Sequence, residues 1–515
     1  MDKRLLLGLV GILLATMASE FNDQVTSIAL ADVRGGFSIS RDPGTWIPSL
    51  YVSAQIVGTA VSPWMLVTFS LRRWTLFSIG LCGVSSALIP FSPNIEAIYA
   101  LRLLQGFAGG LLIPLLMTTA LRVFSNPNLR LYGLAFYALT AGFTAGMGAS
   151  LAALWTDLVD WRFVFFQAVP AMALAGAFVW YGESQDEPQY ERFLIADWSG
   201  LLLLAVGFGA FSTMLYQGDR LDWFNSKLIC VLALVSALGI PLFVLNEWLH
   251  PLPLIKLQLL GRRNIAYGCI ALFTFLIIAQ AGFSVPLDYL QATQGYRPLQ
   301  AHLVTLEVAL PQLLLLPAVA YLLDFDVDPR LVSFIGLGLM LLSCVGSSFV
   351  DYTWNRDQFY FWQALQVLGQ PMVTMSLLEL VTNDVRGPEE APFVSALINT
   401  PRAVSGAVAV WLLQLIGRWR GNLHSDRLVD QLGQNWFDLA QNTASFGVPP
   451  TPTNPWGAAS PDPLQALSLA VRQQVTVLTI ADTYLVLGAI TALLMLVVLL
   501  LPVHTPPPRI ALVKQ

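Results

Sequence analysis

Arg102-Leu103-Leu104-Gln105-Gly106-Phe107-Ala108-Gly109-Gly110 is the stretch on which the fold turns. From Ile98 to Ala120 the chain around it is almost wholly apolar apart from Arg102 and Gln105, so a permanently charged guanidinium lies in or at the edge of a membrane span. An arginine near the bilayer centre costs roughly 3 kcal/mol on insertion scales, and such a residue normally faces a wet cavity or a protein partner. Gly106, Gly109 and Gly110 add a small-residue face on which a neighbouring helix can approach closely. Two readings are open: Arg102 is a charged node in a transport pathway, or it snorkels to an interface while the glycines only pack.

Composition leads to the same class. The 515 residues are 56% hydrophobic and only 11% charged, which is more apolar and less charged than an ordinary globular domain. The expectation is an all-α polytopic membrane protein. A net charge of -5 is small for this length and gives no reason to expect a nucleic-acid partner. Cys82, Cys230, Cys269 and Cys344 lie inside apolar segments without metal-ligand spacing, which suits small buried hydrophobes better than a disulfide framework.

The N-terminus, Met1-Asp2-Lys3-Arg4 followed by Leu5 to Met17, has the outline of a signal peptide. The apolar character resumes beyond Asp23 as far as Leu30, so it reads as a first span. Stretches of about 20 apolar residues separated by short polar loops give fourteen spans: 5–30, 46–69, 74–95, 97–123, 131–155, 163–181, 199–216, 228–248, 266–290, 302–323, 331–350, 358–381, 394–417 and 477–502. An even count puts both termini on one side. Fourteen lysines and arginines, among them Arg72, Arg73, Arg122, Arg130 and Arg330, fall on that face, against seven in short loops on the other. The positive-inside rule therefore predicts cytoplasmic termini. A long outer loop is expected from Arg418 to Thr476, proline-rich after Pro449. Leu423, Leu428, Leu432, Trp436 and Leu439 recur there near helical spacing, as in an amphipathic surface helix or a loose connector.

Several segments resemble a known family. Arg102-x-x-Gln105-Gly106 is similar to the fourth-helix motif of the major facilitator superfamily. Asp160-Trp161-Arg162-Phe163, Asp197-Trp198-Ser199-Gly200, Pro286-Leu287-Asp288-Tyr289-Leu290-Gln291, Gly295-Tyr296-Arg297-Pro298 and Asn399-Thr400-Pro401-Arg402 resemble its fourteen-span drug:proton antiporter branch. In this order they resemble most the EmrB-type inner-membrane subunits of bacterial tripartite efflux pumps. The resemblance implies two six-helix halves built of inverted repeats, residues 1–185 and 263–515, with two extra central spans in 186–262 and a substrate site between the halves. It also implies a charged cytoplasmic lock after the second and tenth spans. The second copy keeps Asp324 and Arg330, whereas the first, Pro63 to Arg73, keeps only Arg72 and Arg73 and lacks the acid. In the fifth span the family's Gly-Pro kink is absent, although Gly142, Gly146 and Gly148 preserve a small-residue surface.

Proton-driven export, which the resemblance implies, needs a carboxyl that binds a proton within the membrane, and withdrawal from water favours protonation of an acid in general. The candidates are Glu20 and Asp23, three residues apart on the first helix, with Glu307, Glu379 and Asp482 in later spans. Strict alignment puts Asn22 at the family's first-helix acid and Asp23 one step along. Each of these acids is alternatively a structural carboxyl paired at a helix end. Trp46, Tyr51, Gln55, Phe136, Tyr137, Phe273, Phe283, Tyr289, Phe361, Trp362, Gln363 and Gln366 are possible walls for a lipophilic substrate, or faces turned to lipid.

Nothing points to catalysis or to a cofactor: the four histidines are scattered and no phosphate-cradling loop occurs. The expected function is a proton-coupled exporter of small amphipathic or lipophilic compounds in the bacterial inner membrane. An importer or uniporter on the same fold and a transport-dead sensor or scaffold are the alternatives. The resemblance to tripartite pumps adds two expected partners, a periplasmic adaptor and, through it, an outer-membrane channel.

Overall fold

A computed structural model describes residues 3–124, 127–185, 187–325, 327–383, 390–434 and 463–500. Fourteen helices in it are long and apolar enough to cross a membrane: α1 (Lys3–Ile28), α2 (Arg41–Phe69), α3 (Leu71–Phe91), α4 (Ile95–Val123), α5 (Leu129–Val159), α6 (Phe163–Gly182), α7 (Trp198–Gln217), α8 (Lys227–Leu249), α9 (Arg263–Gln294), α10 (Pro298–Asp324), α11 (Pro329–Ser347), α12 (Arg356–Thr382), α13 (Pro392–Gln434) and α14 (Leu467–Leu499). Each apolar stretch becomes a helix because in lipid every backbone N–H and C=O must be satisfied within the segment. Serines and threonines inside the spans follow the same rule; Thr16, Thr59, Ser78 and Thr491 each donate to the carbonyl four residues earlier.

The helices gather into two groups. In the first, α2 packs on α4, α1 on α5 and α6, and α3 on α4 and α6; in the second, α11 packs on α12 and α14, and α9 on α12, α13 and α14. The groups meet where α5 runs along α10 and where α13 lies on α2 and α4. The additional pair is asymmetric, since α7 packs on α2 and α13 while α8 packs on α7. Close approach decides one of these seams: a Cβ on Gly106 would lie 2.2 Å from the Tyr51 carbonyl oxygen and one on Gly110 2.2 Å from that of Gln55. Only glycine lets α2 and α4 touch backbone to backbone there. Gly146 plays the same part between α5 and α10, where its Cβ would meet the Thr305 carbonyl oxygen at 2.5 Å.

The connection before the last span is shorter than its sequence suggests. Arg418 to Gln434 continue α13, and the last helix already begins at Pro463. The charges of Arg418, Arg420, Asp426 and Arg427 end the apolar window but not the helix, because no proline occurs from Arg402 to Val448. Leu423, Leu428 and Leu432 therefore belong to α13, whereas Trp436 and Leu439 lie outside the described residues. At about 1.5 Å per residue α13 is roughly 65 Å long, twice the roughly 30 Å of bilayer hydrocarbon. Its upper part is tied to α14, with Arg420 Nε 2.6 Å and His424 Nε2 2.5 Å from Asp482 Oδ2.

Candidate functional site

Arg102 sits seven residues into α4 and is wholly buried, so it does not reach a headgroup layer. Its guanidinium donates to Gln105 Oε1 at 2.6 Å and to the Ile47 carbonyl at 3.2 Å, and lies 4.4 Å from the centre of the Tyr51 ring. Its Nη2 is 3.6 Å from Asp23 Oδ1. Gln105 passes the network on by donating to Ser86 Oγ at 2.7 Å, to which Asn22 also donates at 2.9 Å. Tyr51 completes it, with its hydroxyl 3.0 Å from Ser19 Oγ. The i, i+3 spacing of Arg102 and Gln105 puts both on one face of α4, and the glycines beside them bring α1 and α2 close enough to bond.

Asp23 faces two ways. Its side chain is 16% exposed, and that exposure opens into a cavity of about 440 Å³ between the two helix groups. α1 contributes Glu20, Asp23, Gln24 and Ser27; α2 gives Val52 and Gln55; α5 gives Ala141, Thr144 and Ala145; α7 gives Tyr216. The opposite wall is α9, with Phe283, Ser284, Leu287, Asp288 and Gln291, and α13, with Arg402, Ser405, Leu413 and Gln414. Gln55 Nε2 donates to Glu20 Oε1 at 3.0 Å, and the Arg402 charge reaches Glu20 across the cavity. This size and mixed lining are those of a small-molecule site.

Most lining residues lie in the parts of their helices remote from the chain termini. Nearer the termini the two groups are in contact. Tyr137 OH donates to Asn399 Oδ1 at 2.7 Å, Asn399 Nδ2 lies 3.5 Å from Met117 Sδ, and Ser395 Oγ donates to the Pro114 carbonyl at 3.4 Å. Arg402 Nη2 donates to Thr140 Oγ1 at 3.1 Å, with its guanidinium 5.2 Å from the Tyr137 ring centre. Closer still to the helix ends, Arg130 donates to the Thr382 carbonyl and acts electrostatically on Glu379.

The structure thus brings together Arg102, Gln105, Glu20, Asp23 and, across the cavity, Arg402 with Asn399 beneath it. Three other candidate acids are elsewhere. Glu379 stands at the closed end beside Arg130 and Asn383, Asp482 is held by Arg420 and His424, and Glu307 of α10 is not among the cavity residues. Gly142 faces Gln312 and Gly148 faces Gln24, both packing positions. Arg72 lies 4.4 Å from the Trp180 ring centre and Arg73 donates to Tyr190 OH at 3.2 Å. Arg330 pairs with Asp328 at 2.8 Å, and Asp324 ends α10 within electrostatic reach of Tyr132. Of the expected substrate walls only Gln55 and Phe283 line the cavity; Tyr51 supports Arg102 instead. Asp288 was missed as a site residue, although a carboxylate inside the apolar run 266–290 is the same signal that singles out Glu307.

A fourteen-helix bundle with a polar cavity between two helix groups and a buried ion pair on its wall is the architecture of a secondary transporter. The Major Facilitator Superfamily model matches residues 12–410, and the chain belongs to that superfamily. It is 25% identical over 447 residues to the probable multidrug resistance protein EmrY of Escherichia coli, covering 85% of this chain and 84% of that protein. To the multidrug export protein EmrB of Haemophilus influenzae it is 26% identical over 439 residues, 83% of each chain. To the fatty acid resistance protein FarB of Neisseria gonorrhoeae it is 25% identical over 433 residues, 81% of this chain and 82% of that one. The solved structure of the proton:xylose symporter XylE bound to 6-bromo-6-deoxy-D-glucose superposes with a TM-score of 0.55 at 11% identity, covering 96% of this chain and 94% of that chain. That likeness establishes the fold: two six-helix halves, with α7 and α8 as the extra pair.

Proposed function

We propose that the chain is a proton-coupled antiporter that exports small amphipathic or lipophilic compounds across the bacterial inner membrane. The observation that carries this reading is the position of Asp23, between an enclosed guanidinium and the cavity. When Asp23 is ionised it pairs with Arg102. When it takes a proton from the cavity that pairing is lost, and leaving a buried charge without its partner costs about 3–5 kcal/mol. Occupancy of Asp23 by a proton is therefore linked to the arrangement of α1, α2 and α4 and, through the same cavity, to substrate. The names of the relatives at similar length support the direction, multidrug export.

The positive-inside asymmetry supports an orientation with both termini in the cytoplasm. On that orientation the contacts of Tyr137, Asn399, Ser395 and Arg130 close the cytoplasmic side, and the state is one that releases substrate outward and accepts protons there. We infer that residues 1–185 and 263–515 move as the two units, with the 186–262 pair riding on the first through α7 and α2. Cytoplasmic closure lacks the charged loop of the N-terminal half, since Arg72 lies over the Trp180 ring and Arg73 donates to the Tyr190 hydroxyl; the α5–α12 contact of Arg130 replaces it.

A periplasmic adaptor, leading to an outer-membrane channel, is the proposed partner. Its support is the pair α13 and α14, which stands beyond the bilayer thickness and is held together by Arg420, His424 and Asp482. Replacing 435–462 by a short Gly/Ser linker should weaken adaptor co-purification while export in proteoliposomes continues. For the exporter itself, the test is ATP-free everted vesicles with an imposed pH gradient. Uptake of a fluorescent amphipathic compound that collapses with a protonophore is expected, and gradient-independent equilibration would identify a uniporter.

A further inference from the structure

Far from the cavity, the end of the α7–α8 pair on the side of the chain termini holds two further carboxyls. Asp197 caps α7 and Glu247 lies in the last turn of α8, and their exposures are only 3% and 0%. Asp197 is engaged through both oxygens. Its Oδ1 accepts from Gly200 N at 2.7 Å and from Ser199 Oγ at 2.8 Å, and its Oδ2 accepts from the Asn246 amide. Glu247 is engaged through one only: Oε2 accepts from Ile255 N at 2.9 Å, whereas Oε1, also buried, has no hydrogen-bond partner. That orphaned oxygen is turned towards Asp197. A Cβ on Gly200 would lie 2.3 Å from Asp197 Oδ2 and 2.7 Å from Glu247 Oε1, so the two oxygens converge on one spot, within hydrogen-bonding reach. No cation intervenes, since Asp197 is the one ionisable group among the described residues that acts on Glu247. Lys256 lies 5.9 Å from the Phe393 ring centre, Arg262 pairs with Glu390 at 2.8 Å, and His250 Nδ1 accepts from Leu252 N at 3.1 Å. From α2 the corner meets Val61, Trp64 and Met65, none of which ionises. Two buried carboxyls in contact and without a cation cannot both be charged, and a buried acceptor facing another acceptor lacks a hydrogen between them.

We propose that Glu247 and Asp197 share one proton, Glu247 Oε1 donating to Asp197 Oδ2, and that this acid–carboxylate clamp is a pH-sensitive joint between the two helix groups. The clamp holds the start of α7, the last turn of α8 and, through Ile255 N, the strap 250–262 that leads to α9. α7 rests on α2 of the first group, while Arg262 and Glu390 tie the strap to the start of α13 in the second. The proton therefore sits where the chain crosses from one group to the other. When it leaves to the medium, two buried negative charges face each other and the hold on Ile255 N–H is released. Because the closed joint binds the proton, closure is complete at low pH and is lost as pH rises through the value of the closed pair. The inference goes beyond the exporter reading and rests on neither its direction nor its substrate.

Hydrogen exchange of the 250–262 segment reads the joint. It is followed by mass spectrometry on the purified full-length protein from about pH 6 to about pH 9 and expressed as protection relative to the free chain at each pH. In the unaltered protein, protection should fall towards the alkaline end by about tenfold per pH unit, the slope of one proton. Glu247→Gln supplies permanently what the proton supplies, an N–H towards Asp197 and a carbonyl oxygen for Ile255 N, so its protection should vary less than about twofold over the range. Asp197→Asn removes one of the two charges and should also abolish the step, with unfolding temperature checking that both variants fold. Protection independent of pH in the unaltered protein overturns the proposal, as does either folded variant following the unaltered pH course. A Glu247→Gln that fails to fold overturns it too, because the isosteric amide is expected to replace the protonated acid. Transport needs no gradient here and is not read, so failure of the exporter reading leaves this outcome untouched.

Discussion

The two walls of the cavity carry the same functional group and treat it differently. On α1, Asp23 and Glu20 are each held by side chains of the protein, Asp23 by a guanidinium that α2 and α4 enclose completely. On α9, Asp288 is exposed into the cavity, and among the described residues no hydrogen bond or ion pair reaches its carboxylate. A carboxylate with a built-in cation can exchange that partner for a proton, and the exchange is felt by the helices that hold the cation. A carboxylate without one must be satisfied from the cavity itself. The contrast is what supports the proposed proton coupling at the first wall, and it can be broken at several points.

The largest effect is expected from Arg102→Ala, which leaves Asp23 beside a hole and the Gln105–Ser86–Asn22 chain without its anchor. Losing one partner of a buried pair costs about 3–5 kcal/mol, so export should vanish and the unfolding temperature of the purified protein should fall. Arg102→Lys keeps the charge but not the forked donors and should retain partial transport. If Arg102→Ala exports normally, the first wall has no special status. Next comes Asp23→Asn, which keeps volume and loses titration. Uphill export measured in everted vesicles should disappear while exchange of substrate down its gradient persists, and Glu20→Gln should be milder because Glu20 is tied to Gln55 rather than to Arg102. A reversed order would move the proton site three residues along α1.

Smaller is the effect of Tyr137→Phe, which removes the 2.7 Å bond to Asn399 that closes the terminal side. A net hydrogen bond of roughly 1 kcal/mol corresponds to about a fivefold shift between open and closed states, readable as increased labelling of a cysteine placed at Ser395. Smallest is Asp222→Asn in the α7–α8 connection. Asp222 accepts from Asn225 and from Arg418 of α13, and these bonds, the Asn225 amide first, hold its carboxyl below the ordinary range. A depressed folded pKa gives a tether that is complete above the ordinary carboxylate range and is lost only as pH falls through the lowered value. Export at neutral pH should be unchanged by the substitution, and the unfolding temperatures of the two proteins should converge as the medium is acidified. Asn also tolerates the left-handed backbone of this position, φ 58°.

The fourteen spans were legible because hydropathy over a bilayer's length is a strong signal, and only their polar ends were misjudged. Hydropathy ends this span at 417 because charge ends an apolar window, whereas the helix runs on to Gln434 because a helix ends for backbone reasons. The site was legible in part. Arg102 and Gln105 stand out by charge in an apolar run, but which face of a span meets a cavity is not written in hydropathy, so hydropathy alone does not separate Asp23 from Glu307, Glu379 and Asp482. The step from Asn22 to Asp23 shows the difficulty in one residue. A rotation of about 100° buries Asn22 against Ser86 and turns Asp23 between Arg102 and the cavity.

The most direct measurement concerns the proton itself. Proteoliposomes containing the purified chain and a lumenal pH indicator are loaded with a fluorescent amphipathic compound and diluted without any pH gradient. Substrate leaving down its own gradient should draw protons inward and acidify the lumen. In Asp23→Asn the compound should still leave while the lumenal pH stays constant. Acidification by Asp23→Asn at the rate of the unaltered protein, or none by the unaltered protein itself, would contradict proton coupling at Asp23.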